Sequence, residues 1–167
     1  AGTSASRTIA MDSVANPADY RQFEAGPFAS FYPVPGHEAA LAKALLGHHA
    51  HYDCWRKSEI PARLHYGTNP RIPPYFCLAE TGWLLNKTAS TKDVPDGGAH
   101  GYDNAAPEMA ALFVASGPAI TALGPLPAFD NVDVAPLVRD LLGLPAGTGL
   151  DGDDAPFRAA VKGLARN

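Results

Sequence analysis

Apolar and polar positions alternate irregularly over most of this chain; two stretches carry a clear helical period, and the tail holds a short helical piece, FRAAVKGLA (157–165). In HEAALAKALLGHHAHY, Leu41, Leu45 and Leu46 recur at helical spacing after Pro35-Gly36, and Gly47 supplies a stop. This predicts a helix over 37–46. In VDVAPLVRDLLGLP, Asp130-Asn131 offers an N-cap, and Val134, Leu137, Val138, Leu141 and Leu142 form one apolar stripe that ends at Gly143-Leu144-Pro145. Elsewhere the apolar residues come in short runs. Phe23, Phe28, Phe31 and Tyr32 are punctuated by Gly and Pro, so the first 35 residues read as irregular strands and loops without a core-building element of their own. Repeated prolines then separate runs such as 75–78, which fit short strands joined by turns. Residues 109–115 are apolar without a polar break and read as a buried strand, ended by Gly117-Pro118.

A buried strand, a loop and an amphipathic helix argue for a layered α/β fold, with the core-forming elements after about residue 36. Three stretches follow: 1–35 irregular; 36–90 a helix plus short strands and loops; 91–167 a loop around His100, the buried strand and the C-terminal helix.

Composition narrows the function classes. Among 167 residues there are 16 Gly and 16 Pro, too much backbone punctuation for a helical bundle, while a 46% hydrophobic content supports a real core. The net charge of −4 comes with scattered basic residues, which leaves no electrostatic footprint for a nucleic-acid duplex or an anionic membrane. No apolar run approaches the roughly 20 residues that cross a bilayer, and AGTSASRTIA lacks the pattern of a signal peptide. The chain therefore reads as soluble and without an address.

Candidate chemistry rests on His and Cys. His48, His49 and His51 crowd the end of the first helix beside Asp53; solvated imidazoles at a helix C-terminus explain them better than a local metal site. His37 and His65 are isolated and suit surface or hydrogen-bonded roles. His100 differs, because GGAHGYDN lets the chain bend sharply and present an imidazole from a loop. Asp103, three residues on, is placed either to accept the other imidazole N–H from the outer shell of a metal site or to cap a turn. Cys54 and Cys77 fit a pair of buried thiols or a disulfide, and their spacing does not decide between the two. GxSxG, GxxxxGK[ST], HExxH and CxxC are all absent, and DGDD at 151–154 lacks the rest of an EF-hand loop. A catalytic metal needs at least three protein ligands, so His100 describes an incomplete site.

Three blocks together resemble the bacterial nucleotide pyrophosphatase/phosphodiesterase family of the alkaline phosphatase superfamily: CWRKSEIPARLHYGTNPRIPPYFCLAETGW (54–83), GGAHGYDNAAPEMAALFVASGPAI (97–120) and LPAFDNVDVAPLVRDLLGLP (126–145). The second is the most specific, with its His-Gly-Tyr-Asp-Asn turn, Met, apolar run and Gly-Pro in family order. The resemblance implies the C-terminal part of an alkaline-phosphatase-like layered sheet with flanking helices, produced by cleavage or forming one piece of a nicked enzyme. It implies a two-zinc phosphodiesterase in which His100 is the last zinc ligand. The Thr nucleophile, the other ligands and most nucleotide-binding aromatics are expected on an N-terminal fragment of the same polypeptide. The implied substrate is a nucleotide or other phosphodiester, hydrolysed through a covalent phospho-threonine. The implied location is periplasmic or secreted, where Cys54 and Cys77 would pair as a disulfide. Two further readings are a phosphonate or lipid-headgroup hydrolase of the same superfamily, and a non-catalytic interaction module that retains half of the fold.

Overall fold

The computed structural model describes residues 1–88 and 97–162, which fall into two compact units, Ala1–Ala111 and Leu112–Asn167. The first unit is organised by a five-stranded antiparallel sheet. Its strands β3 (Tyr20–Glu24), β4 (Phe28–Pro33), β5 (Gly47–His49), β6 (Tyr52–Arg56) and β7 (Tyr75–Ala79) lie in the order β3-β4-β7-β6-β5. The pleat sends alternate residues to opposite faces. Ala29, Phe31, Cys77, Tyr75, Cys54 and Tyr52 share one face by register, and all of them lie in the main core. Helix α1 (Glu38–Leu45) contributes Leu41 and Leu45, both fully buried, to that same core. These two sit one helical turn apart, the spacing that puts side chains on one stripe. On the opposite face, Phe28, Phe76 and Trp55 form a ladder of rings across β4, β7 and β6, with Tyr66 packed on Phe76.

Cys54 and Cys77 stand directly opposite each other on β6 and β7 and form a disulfide with Cα atoms 4.1 Å apart. The bridge ties a sheet position to its neighbour and closes the Pro-rich segment between them.

Two small pairings complete this unit. Strand β2 (Thr8–Ala10) runs parallel to β8 (Leu84–Asn86), and β1 (Gly2–Thr3) runs antiparallel to β9 (Gly97–Gly98). Together they hold the first residues of the chain against the approach to His100.

The structure corrects two expectations. The first 35 residues do build core: Met11, Ala15, Tyr20, Ala29 and Phe31 are buried, and β4 is an interior strand of the main sheet. Its pairing partner β7 is more than 40 residues away, so no local pattern announces the strand. Residues 109–115, expected as a buried strand, carry no strand at all; Leu112 is 91% exposed and Val114 76% exposed. An apolar run becomes a strand only where a neighbour accepts its backbone hydrogen bonds.

The second unit holds helix α2 (Val134–Leu141), as its apolar stripe predicts, but only Leu137 of that stripe is buried. Leu137 meets Phe157 and Val161 in a small core. Around Phe157 the rings of Phe113 and Phe129 pack at 5.7 and 4.7 Å between centroids. Val138, Leu141 and Leu142 remain exposed. At FRAAVKGLA the described residues form no helix: the 3-10 turn Ala155–Phe157 ends on its first residue, 158–162 follow as turns and an isolated bridge, and residues 163–167 lie outside the described part.

The candidate metal-ligand loop

The loop that carries His100 is anchored on both sides. Upstream, the Ala1 backbone nitrogen donates to the Ala99 carbonyl at 2.8 Å, and the Ala99 N–H returns a bond to the Ala1 carbonyl at 2.9 Å, extending the β1–β9 pairing. Downstream, Gly101 takes φ +101°, a left-handed conformation that disfavours side chains, and a Cβ there would meet the Phe28 ring at 3.3 Å. The next residue, Tyr102, is buried in the main core, and burial raises its hydroxyl pKa. Between these fixed points the His100 side chain is exposed. A short polar loop thus presents one imidazole to solvent from a backbone pinned to the core.

Asp103 fastens the loop's far end. Its two oxygens accept from the Arg63 guanidinium at 2.7 and 2.6 Å, the parallel fork that makes Arg–carboxylate pairs strong. One of them also accepts the Ala105 N–H at 3.0 Å, which caps the turn at 103–106. Hydrogen bonding from Arg63 holds the Asp103 carboxyl below its ordinary range, and Asp103 in turn raises the Arg63 guanidinium. Of the two placements considered for Asp103, the turn cap is the one seen. Among the described residues no hydrogen bond joins Asp103 to the His100 ring; the Asp103 oxygens accept from Arg63 and Ala105. No sequence signal singled out Arg63, because it lies 40 residues before its partner.

Arg63 stands on a 3-10 turn, Ala62–Leu64, which ends at His65 in the left-handed region at φ 47°. Behind it, Gly67 at φ +112° passes so close to Lys57 that a Cβ would lie 2.7 Å from that residue's carbonyl oxygen. The turn is therefore fixed to the segment after β6.

Four of the other five histidines have separate partners. In the β5–β6 hairpin, the His48 ring bonds Asp53 at 2.8 Å and the His49 ring bonds the Leu45 carbonyl at 2.8 Å. His51 bonds Glu80 at 3.0 Å and stacks on Trp83 with ring centroids 3.6 Å apart. His37 bonds Asp19 at 2.6 Å. Among the described residues no group of three or more His, Cys, Asp or Glu side chains is placed to hold a metal ion. His100 is exposed on a braced loop, and the described residues bring no second His, Cys, Asp or Glu pair beside it that could complete a metal centre.

Fold and loop together give a mixed α/β scaffold that carries one exposed histidine on an anchored loop. The family pattern of "Type I phosphodiesterase / nucleotide pyrophosphatase" matches residues 1–103, and the chain belongs to that family. It is 32% identical over 138 residues to the bis(5'-adenosyl)-triphosphatase enpp4 of Xenopus laevis, covering 83% of this chain and 30% of the relative. Identity to human ectonucleotide pyrophosphatase/phosphodiesterase family member 5 is likewise 32%, over 140 residues, covering 84% of this chain and 29% of the relative. The solved structure of murine family member 5, in an inactive form with a threonine replaced by alanine and in complex with AMP, superposes with a TM-score of 0.85 at 31% identity. That superposition covers 96% of this chain and 42% of the murine one. The fold is therefore part of the alkaline-phosphatase-like fold of these proteins, and the chain spans less than a third of the length of the curated relatives it matches.

Proposed function

We propose that this chain is the metal-loop portion of a zinc-dependent nucleotide pyrophosphatase/phosphodiesterase, active when joined to the rest of its domain. The carrying observation is the family match over 1–103, which includes the exposed His100 on its anchored loop. His100 would supply one nitrogen to a two-zinc centre whose other ligands, with a Thr nucleophile, lie on the N-terminal portion of the domain. Zinc in such a centre supplies Lewis-acid polarisation of the phosphoryl group and neutralises its charge.

The chain's own residues have defined tasks. His100 would present a ring nitrogen, Gly101 gives the backbone the bend that exposes it, and buried Tyr102 anchors that bend to the core. The substrate is a phosphodiester or pyrophosphate of a nucleotide, cleaved by in-line displacement and passing through phospho-threonine. Two relatives support this reading: the murine protein is inactive when a threonine is replaced and binds AMP, and the Xenopus protein is named for cleaving a dinucleoside triphosphate. A setting outside the cytosol, periplasmic or secreted, agrees with the Cys54–Cys77 bridge. Among the described residues no helix is long and apolar enough to cross a membrane.

The test is His100→Ala in the complete enzyme. Zinc content is expected to fall and the phosphodiesterase rate to drop on the order of 100-fold, with nucleotide affinity less affected. Full zinc occupancy with an unchanged rate would sink the assignment.

A further inference from the structure

We infer that Arg63 is a positioning residue for His100, acting through Asp103. This rests on the reading of His100 as a zinc ligand. The two ends of the loop are held differently. The upstream end is held by backbone pairing of Ala99 with Ala1, and the middle by Gly101 against Phe28 and by buried Tyr102. At the downstream end the side-chain anchor is the Arg63–Asp103 fork, with bonds of 2.7 and 2.6 Å.

Arg63 itself is held in place. Its turn closes through Leu64 N–H to the Pro61 carbonyl at 2.9 Å and His65 N–H to the Ala62 carbonyl at 3.0 Å. The turn adopts the left-handed conformation at His65, a non-glycine residue, and Gly67 seals it against Lys57 and Ile60. A planar guanidinium on such a base fixes both the position and the orientation of a carboxylate, whereas a lysine ammonium would fix only a point of charge. The carboxylate in turn caps the turn at 103–106 that closes the loop.

An ordinary exposed ion pair contributes little to folding, and Arg63 is 57% exposed at its side chain. The pair's effect is therefore expected in where the imidazole stands more than in the stability of the chain.

Charge alone predicts the opposite sign. Removing the Arg63 cation leaves Asp103 unpaired and makes the neighbourhood more negative, which favours a bound cation. If Arg63 acts only through its charge, zinc binds more tightly without it; if it positions His100, zinc binds more weakly.

The experiment is zinc titration of the complete enzyme carrying Arg63→Gln, Arg63→Lys or His100→Ala, with Arg56→Gln as a control. Arg56 is a comparably exposed arginine whose partners are Glu59 and the Tyr75 hydroxyl rather than Asp103. Arg63→Gln is expected to raise the zinc dissociation constant about 10- to 100-fold, as outer-shell changes at metal sites do. Arg63→Lys should recover part of the loss, and Arg56→Gln should leave zinc affinity within about twofold of the parent. Should Arg63→Gln fail to fold, Arg63→Lys still carries the test, because it keeps the charge and loses only the fork. Unchanged or tighter zinc binding in both Arg63 variants, with His100→Ala still weakening it, would overturn the positioning role alone. Unchanged zinc binding in His100→Ala would instead overturn the ligand reading on which it rests.

Discussion

At the scale of single residues, the chain commits a few side chains to fixed geometry and leaves His100 exposed. Cys54 and Cys77 are committed by a covalent bond between facing strands. With 23 positions separating them, the bridge restricts the unfolded chain by an entropy worth roughly 3 kcal/mol. Cys54→Ala with Cys77→Ala is expected to lower the unfolding free energy in urea by about that amount, and a midpoint unchanged from the parent would show that the bridge is not formed in solution. The cysteine pair could be identified as candidates in the sequence, but their union could not, because opposition on β6 and β7 depends on a strand register. His100 was legible for a better reason: Gly97-Gly98-Ala99 before it and Gly101 after it are a local signal for a bent, exposed backbone. Arg63 was not, since its role is set by a partner 40 residues away.

At the scale of elements, both helices were legible in the apolar spacing, and the structure shows them at Glu38–Leu45 and Val134–Leu141. They differ in how that spacing is used. Leu41 and Leu45 bury α1 completely along one stripe, whereas α2 buries Leu137 and leaves Val138 and Leu141 exposed. Asp140 adds a cost to α2. It sits in the last turn, at the negative end of the helix dipole, and one of its oxygens is buried without a hydrogen-bond partner. Burial, followed by the nearby Asp154, raises its pKa. A carboxyl that is harder to ionise in the folded state favours folding while protonated and opposes it once ionised, so its penalty grows as pH rises from the ordinary value of 3.8 through the raised one. Asp140→Asn is expected to raise the thermal midpoint at neutral pH and to lose that advantage in acid. A midpoint lowered at neutral pH would contradict this. Strands were the least legible elements. Residues 109–115 have strand-like composition but no pairing neighbour, and β4 has the neighbour but a composition interrupted at Gly26, Pro27 and Pro33.

At the scale of the whole molecule, the chain has a well-built sheet, a second unit with a small core, and one histidine, His100, presented from an anchored loop. The fold class was readable because a family resemblance and an α/β pattern point the same way, and the murine structure supports it at a TM-score of 0.85 over 96% of the chain. The role of the first 35 residues was not readable, because an interior strand built from long-range pairing leaves no periodic trace. The chain covers 42% of the murine structure and 30% of the Xenopus relative. The most direct measurement compares this chain alone with the chain joined to the rest of its domain, assaying zinc by mass spectrometry and turnover of a chromogenic nucleoside phosphodiester. The joined protein is expected to hold about two zinc ions and to turn over, while the chain alone does neither, because a catalytic zinc needs at least three protein ligands. Comparable turnover by the chain alone, or turnover by the joined protein that survives complete zinc removal, would contradict the assignment of this chain to half of a zinc phosphodiesterase site.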